Sequence, residues 1–421
     1  MSIMQQKYIV LLGAFVVQLT LGGFYNAGSF QSEIAHFISN RTNTSFNDTM
    51  KTSTWIFGAM SLGMGSSMSF GGFMDSKIGT IWTVLFGGGL ICLNTGLMIT
   101  MVKQNLWLII ITYGFLGGVG VGIVYGVTLG TIAKIFTEKK GLIFGLTLSG
   151  YGLSAFFQDV IQNYEGKKNV ESTFIYITIF CTVMLFVGVI LLGFKKKIKI
   201  EESHSIYNSV KYDIFNSYRR VTKEFKPHQI ILEYDFWMLW LIMTAVSAVD
   251  NIVMSFYSSY FNQYKIDKFT LSVVFTISNS IGRIFWGFLV DIKPFKCIMI
   301  ILLIINSIFL VSLPFVTSAL KLHSIIILWY SVIGFQLGGF FGIFPTICAN
   351  LFGTKHFTIN YGMLYTANSL PGCIICLVSM NFDFSSNFLQ NAFIIAGAIS
   401  LLGAILSGLF RGKSLITHNT F

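Results

Sequence analysis

From Phe269 to Val290 the chain reads FTLSVVFTISNSIGRIFWGFLV, a stretch whose one charge is Arg283. A helix of this length crosses a hydrocarbon core of about 30 Å. A guanidinium at its middle costs roughly 2.5–3.5 kcal/mol on insertion scales, so it has to face protein, and such a residue marks a functional site by default. Arginine keeps its proton, and its planar fork grips a carboxylate through two hydrogen bonds. The stretch therefore predicts a membrane helix and an anion receptor together.

The rest of the 421-residue chain is built the same way. It is 54% hydrophobic and 11% charged, with mean hydropathy +0.71, whereas soluble domains carry about 25% charge. Twelve spans are predicted, at 8–30, 52–73, 79–102, 106–132, 141–161, 173–194, 236–262, 269–290, 297–318, 325–350, 358–380 and 388–410. The fold class is all-α, a polytopic membrane protein with two six-helix halves, 1–194 and 236–421, joined by a loop at 195–235.

With both termini in the cytosol, 19 Lys and Arg residues fall inside and 8 outside, Arg283 being the remaining one of 28. That excess obeys the positive-inside rule, and nine of the 19 lie in the joining loop. The loop reads as a solvated linker held near anionic headgroups. The net charge of +11 thus speaks for the inner membrane face and not for nucleic acid. The start, MSIMQQKYIVLLGAF, runs directly into the first span and reads as its own signal anchor. Three sequons, at Asn40, Asn43 and Asn47, fall in the first outer loop. The lipid bilayer is the expected surrounding and a monomer the expected state, with plasma and organelle membranes equally open.

Short patterns exclude several chemistries. Cys373 and Cys376 form a CxxC inside an apolar helix without acidic or His neighbours, so they read as packing residues, like Cys92, Cys181, Cys297 and Cys348. His36, His204, His228, His323, His356 and His418 fall in loops or ends without metal-ligand spacing, so no metal and no cofactor is expected. Gly118-x-Gly120 has no preceding strand, and no P-loop occurs, which argues against nucleotide binding and ATP-driven pumping. No nucleophile and base share one depth, so an enzyme is not expected. Trp237 and Trp240 read as interfacial anchors; Trp286 is either another anchor or a neighbour of Arg283.

Gly71 to Asp75 and Gly287 to Asp291 each give G-x-x-x-D at the inner end of the second helix of a half. At this point the chain resembles the major facilitator superfamily, whose loop continues D-R-x-G; here Asp75-Ser76-Lys77-Ile78-Gly79 lacks the Arg and adds a residue. A narrower resemblance is to the oxalate/formate antiporter branch, related to the monocarboxylate transporters. It rests on Gly22-Gly23-Phe24-Tyr25 leading to Ser29-Phe30, on Gly118, Gly120, Gly122 and Tyr125, on Phe136 to Gly152, on Asn279, Gly282, Arg283, Trp286 and Gly287, and on Pro345 through Gly362.

The resemblance implies a secondary transporter of a small organic anion. It implies substrate contact at Arg283 and Tyr125, and makes Tyr25, Tyr151, Asn279, Tyr365 and Asn368 candidates with them. It also gives Gly71, Asp75, Gly287 and Asp291 a gating role. Two departures refine this. Bacterial oxalate carriers have Lys after Y-[ST]-A, whereas Tyr365-Thr366-Ala367 is followed by Asn368. A second carboxylate would then stay unpaired in a low-dielectric cavity, which favours a monocarboxylate over oxalate. Monocarboxylate transporters place an acid four residues before the eighth-helix Arg, where this chain has Asn279. Asp250, in the seventh span, is the one clearly intramembrane acid of the sequence. It is a proton-coupling candidate, a counterion of Arg283, or a wall residue away from substrate; a counter-anion is the other coupling partner.

Depths at ~1.5 Å per residue put Tyr125 and Arg283 about 12–13 Å from the inner face, Tyr151 and Tyr365 near ~15 Å, Asn368 near ~18 Å and Asp250 near ~21 Å. The first four share the midplane, while Asp250 lies further out. Competing readings are a carrier of another solute, such as a carboxylate-bearing vitamin or drug-like molecule, and a non-transporting solute sensor.

Overall fold

In a bilayer, main-chain N–H and C=O groups have no water to bond, so a spanning chain without a closed sheet satisfies them within helices. A computed structural model describes residues 2–165, 170–195, 224–320 and 322–412, without the side chains of 24–29, and the regular structure among them is helical. The first half comprises α1 (Ile3–Gln18), α2 (Gly23–Thr42), α3 (Phe46–Ile78), α4 (Thr80–Met101), α5 (Leu106–Ile135), α6 (Lys140–Glu165) and α7 (Val170–Leu192). A short α8 (Pro227–Ile230) precedes α9 (Tyr234–Asn262), α10 (Lys268–Ile292), α11 (Phe295–Ala319), α12 (His323–Phe352), α13 (Phe357–Tyr365), α14 (Ser369–Asn381) and α15 (Ser386–Leu409).

Three spans are less regular than the sequence suggests. The first is broken at residues 19–22 into α1 and α2, and α2 runs on to Thr42. Asn40 therefore sits on a helix and not in a loop, as does His36, and Asn47 lies in the first turn of α3. The fourth contains a π segment, Ile110–Leu116, before its glycines. The eleventh is interrupted by a 3-10 turn, Thr366–Asn368, between α13 and α14. Such interruptions at membrane depth persist where protein re-satisfies the freed main-chain groups. Most of the joining loop, 196–223, lies outside the described residues, as do His204 and His418.

α10 shows how sequence sets packing. Ser272, Thr276, Asn279, Ser280 and Arg283 recur at helical spacing and are buried, while Ile277, Ile281, Phe285 and Phe288 are exposed where lipid would lie. The polar stripe faces protein and the apolar one faces outward, the reverse of a soluble helix. The halves meet along α6 and α10 and along α3 with α13 and α14. Close approach at the first seam needs glycine: a Cβ on Gly145 of α6 would collide with the main-chain oxygen of Arg283, and within the second half one on Gly342 of α12 would lie 2.6 Å from the same atom.

The face near residues 2 and 412 is bridged between the halves. Asp291 accepts hydrogen bonds from Gly141 N (2.8 Å) and Leu142 N (2.9 Å) of the other half. Phe144 stacks on Phe357 at 5.5 Å, and Gly72 packs on Thr358 and Ile359. Glu224, where the joining loop re-enters the described chain, accepts from Thr354 N and Lys355 N. On the far face two clefts, of about 270 and 210 Å³, share Ser32, His36 and Lys268.

Candidate functional site

Arg283 is wholly buried at the seam of the two halves. Its Nε donates to Asn279 Oδ1, one turn earlier, at 2.9 Å, and Asn279 Nδ2 donates to Gly334 O at 3.3 Å. The i, i+4 spacing puts both side chains on one helical face. The guanidinium carbon lies 5.2 Å from the ring centroids of Tyr151 on α6 and Phe341 on α12, within cation–π range. Two aromatic faces and one amide thus fix the plane and rotation of a buried cation.

Around it the structure gathers tyrosines. Tyr125 meets Tyr151 edge-on at 5.7 Å, Tyr365 at 5.6 Å and Tyr361 at 6.5 Å. Its hydroxyl is turned toward Tyr361 and Arg283 but makes no hydrogen bond of normal geometry. Asn368, in the 3-10 turn, is wholly buried with neither amide atom partnered. Both oxygens of the buried Asp250 are likewise without a hydrogen-bond partner, although Arg283 lies within electrostatic reach. Asp250 is thus no direct hydrogen-bonded counterion of Arg283, in line with its greater depth.

The side chain of Tyr25 lies outside the described residues. The two acids of the expected gating loops lie on helix ends and differ: Asp75 stays within its own half, accepting from Thr80 Oγ1 at 2.6 Å and pairing with Lys134 at 3.4 Å, whereas Asp291 reaches across. Gly71 and Gly287 sit at helix contacts, against Ile123 and Gly141. Trp286 is not an interfacial anchor; it is buried against Gly339, Phe285 and Phe335.

Sequence reasoning missed Tyr361, Phe341 and Asp159. Tyr361 is the middle of the Asn360-Tyr361-Gly362 motif already quoted, so its signal was present. Phe341 is one of 42 phenylalanines and carries no distinguishing pattern. Asp159 is a second buried acid near the far end of α6, accepting a hydrogen bond from Ser272 across the halves, so Asp250 is not alone.

Comparison with known proteins shows the family. The family model described as Major Facilitator Superfamily matches residues 10–375. Among curated proteins, the chain is 25% identical to the oxalate:formate antiporter of Oxalobacter formigenes over 76% of this chain and 74% of that one. It is 22% identical to apicoplast pyruvate carrier 1 of Toxoplasma gondii, over 75% and 67%. With human monocarboxylate transporter 12 it shares 20%, over 77% and 66%. Among solved structures, the proton:xylose symporter XylE aligns with TM-score 0.72 at 12% identity, over 97% of this chain and 96% of that one.

Proposed function

The chain belongs to the major facilitator superfamily, and from that premise we propose that it carries a small organic anion with one carboxylate by alternating access. The observation that carries this reading is the buried Arg283 held between Tyr151, Phe341 and Asn279. Asn279 occupies the Nε edge, so a carboxylate would meet the guanidinium from its Nη side. The Tyr125 hydroxyl would donate to the same carboxylate, and Asn368 would bond the remainder of the ligand without adding charge. The relatives named for oxalate, formate, pyruvate and monocarboxylates support a small acid.

The positive-inside excess supports cytosolic termini. In that orientation the bridged face is cytosolic and the far clefts are external. The test is a thermal-shift screen of purified protein against a carboxylate panel, since a ligand that binds the folded state raises its melting point. Stabilisation by lactate, pyruvate or formate is expected. Stabilisation by neutral solutes alone would support a different cargo, and ligand binding without counterflow in proteoliposomes would support a sensor.

Asp250 is the coupling candidate, because burying an ionised carboxylate with no partner is costly. Asp250→Asn is expected to abolish accumulation driven by a pH gradient while sparing exchange of labelled for unlabelled substrate. A mutant that still accumulates substrate in response to the gradient removes Asp250 from coupling.

Asp291 acts as a latch on the cytosolic side. Asp291 is solvent-exposed, and an ordinary hydrogen bond contributes about 0.5–1.5 kcal/mol net, so losing both in Asp291→Ala is expected to favour opening there by about tenfold. Cys348, buried near Tyr361, reports this through site-resolved maleimide labelling. Labelling at the wild-type rate would exclude the latch.

A further inference from the structure

Away from Arg283, the first half holds a small pocket beside the break in the first membrane helix. Its walls include Thr20, Asn94, Tyr113, Val121, Gln158 and Cys181. The broken segment is held from α6 and α7. Gly22 N donates to Ser154 Oγ at 2.9 Å, Ser154 Oγ donates to Leu19 O, and Cys181 Sγ lies 3.7 Å from Thr20 O. These contacts satisfy main-chain groups that a continuous helix would have paired internally.

The network fixes how Gln158 points. The single hydroxyl hydrogen of Ser154 is committed to Leu19 O, so toward Gln158 that oxygen can only accept. It accepts from Gln158 Nε2 at 3.4 Å. Gln158 Oε1 is thereby turned away from Ser154, and it is buried without a hydrogen-bond partner. Asn94 Nδ2, on α4 across the same space, is also buried without one. Both side chains are nearly inaccessible, at 1% and 3% of their full exposure. An orphaned acceptor and an orphaned donor thus line one cavity. Leaving both unpaired is expensive, and their complementarity identifies what they bind.

Size narrows the ligand. The centre of a water-sized sphere can move over about 20 Å³ there, a little more than the roughly 10–15 Å³ that one water needs. We propose that the first half binds one water molecule, which accepts from Asn94 Nδ2 and donates to Gln158 Oε1. This water links α4 through Gln158 and Ser154 to the main chain at the break, so it braces the bend between α1 and α2. Because α2 lines both far-face clefts, the bend is where that face would flex. The site stands apart from the Arg283 reading and does not depend on which solute is carried.

The experiment uses the full chain without added carboxylate. A high-resolution structure is expected to show an ordered peak within hydrogen-bond distance of both Asn94 Nδ2 and Gln158 Oε1. Asn94 makes no hydrogen bond to the break, yet Asn94→Leu is expected to raise amide hydrogen exchange at residues 19–23 several-fold, as Gln158→Leu does. The double variant should lose no more protection than the worse single one, because either change removes the shared water. No peak at the site overturns the proposal, as does unchanged exchange in Asn94→Leu or additive losses in the double variant. Should a leucine variant fail to fold, the density of the wild-type protein decides alone.

Discussion

Arg283→Lys is expected to lose most carboxylate uptake at normal membrane levels. The ammonium keeps the charge, but it is a point donor on a flexible stem and cannot form two parallel bonds to one carboxylate. It also gives up the stacked position between Tyr151 and Phe341 and the Nε bond to Asn279. Losing one charge-assisted bond weakens binding by about 1.5–3 kcal/mol, roughly ten- to a hundredfold. Arg283→Gln, which removes the charge, should be at least as impaired. Proteoliposome uptake at matched protein levels measures both, and wild-type rates in the pair would take Arg283 out of the site.

The second large effect is expected at Asn368. Its amide can bond a neutral or singly charged ligand, but it cannot balance a second carboxylate as Lys would. Wild-type protein should therefore prefer lactate, pyruvate or formate to oxalate at equal concentration. Asn368→Lys places a cation in the turn that follows Tyr365, at a site where neither amide atom has a protein partner to lose. The ratio of oxalate to monocarboxylate uptake should rise about tenfold, corresponding to ~1.4 kcal/mol of differential binding. Competition assays with both substrate types decide it. Oxalate outcompeting every monocarboxylate in the wild type would refute the single-carboxylate assignment.

Much of this fold is legible because the bilayer simplifies the code. A lone charge between Phe269 and Val290 fixes α10 as a span, and its Ser, Thr and Asn residues mark the face turned to protein. Helical rise alone brought Tyr125, Tyr151, Tyr365 and Arg283 to one level, and the four do meet. What the pattern could not register is where helices break. The Gly22-Gly23 pair reads equally as close packing or as a bend, and the choice was made by Ser154 and Cys181, more than a hundred residues away. Thr366–Asn368 has no proline or glycine to announce its tighter winding. Asp159 escaped notice because the sequence places it near the end of a span, where burial depends on Ser272 of the other half.

The contact between Asp291 and α6 has a further meaning. Gly141 and Leu142 lie in the first turn of α6, where N–H groups have no partner inside their own helix. Asp291 thus serves as a helix cap supplied by the opposite half, and its charge complements the positive end of the helix dipole. When the halves part on that side, α6 loses its cap, a cost of about 0.5–2 kcal/mol. Since the donors belong to the main chain, most side-chain replacements at Leu142 leave the bond in place. Control of the cap is therefore concentrated in a single carboxylate on α10, two turns from the arginine beside which the cargo would sit.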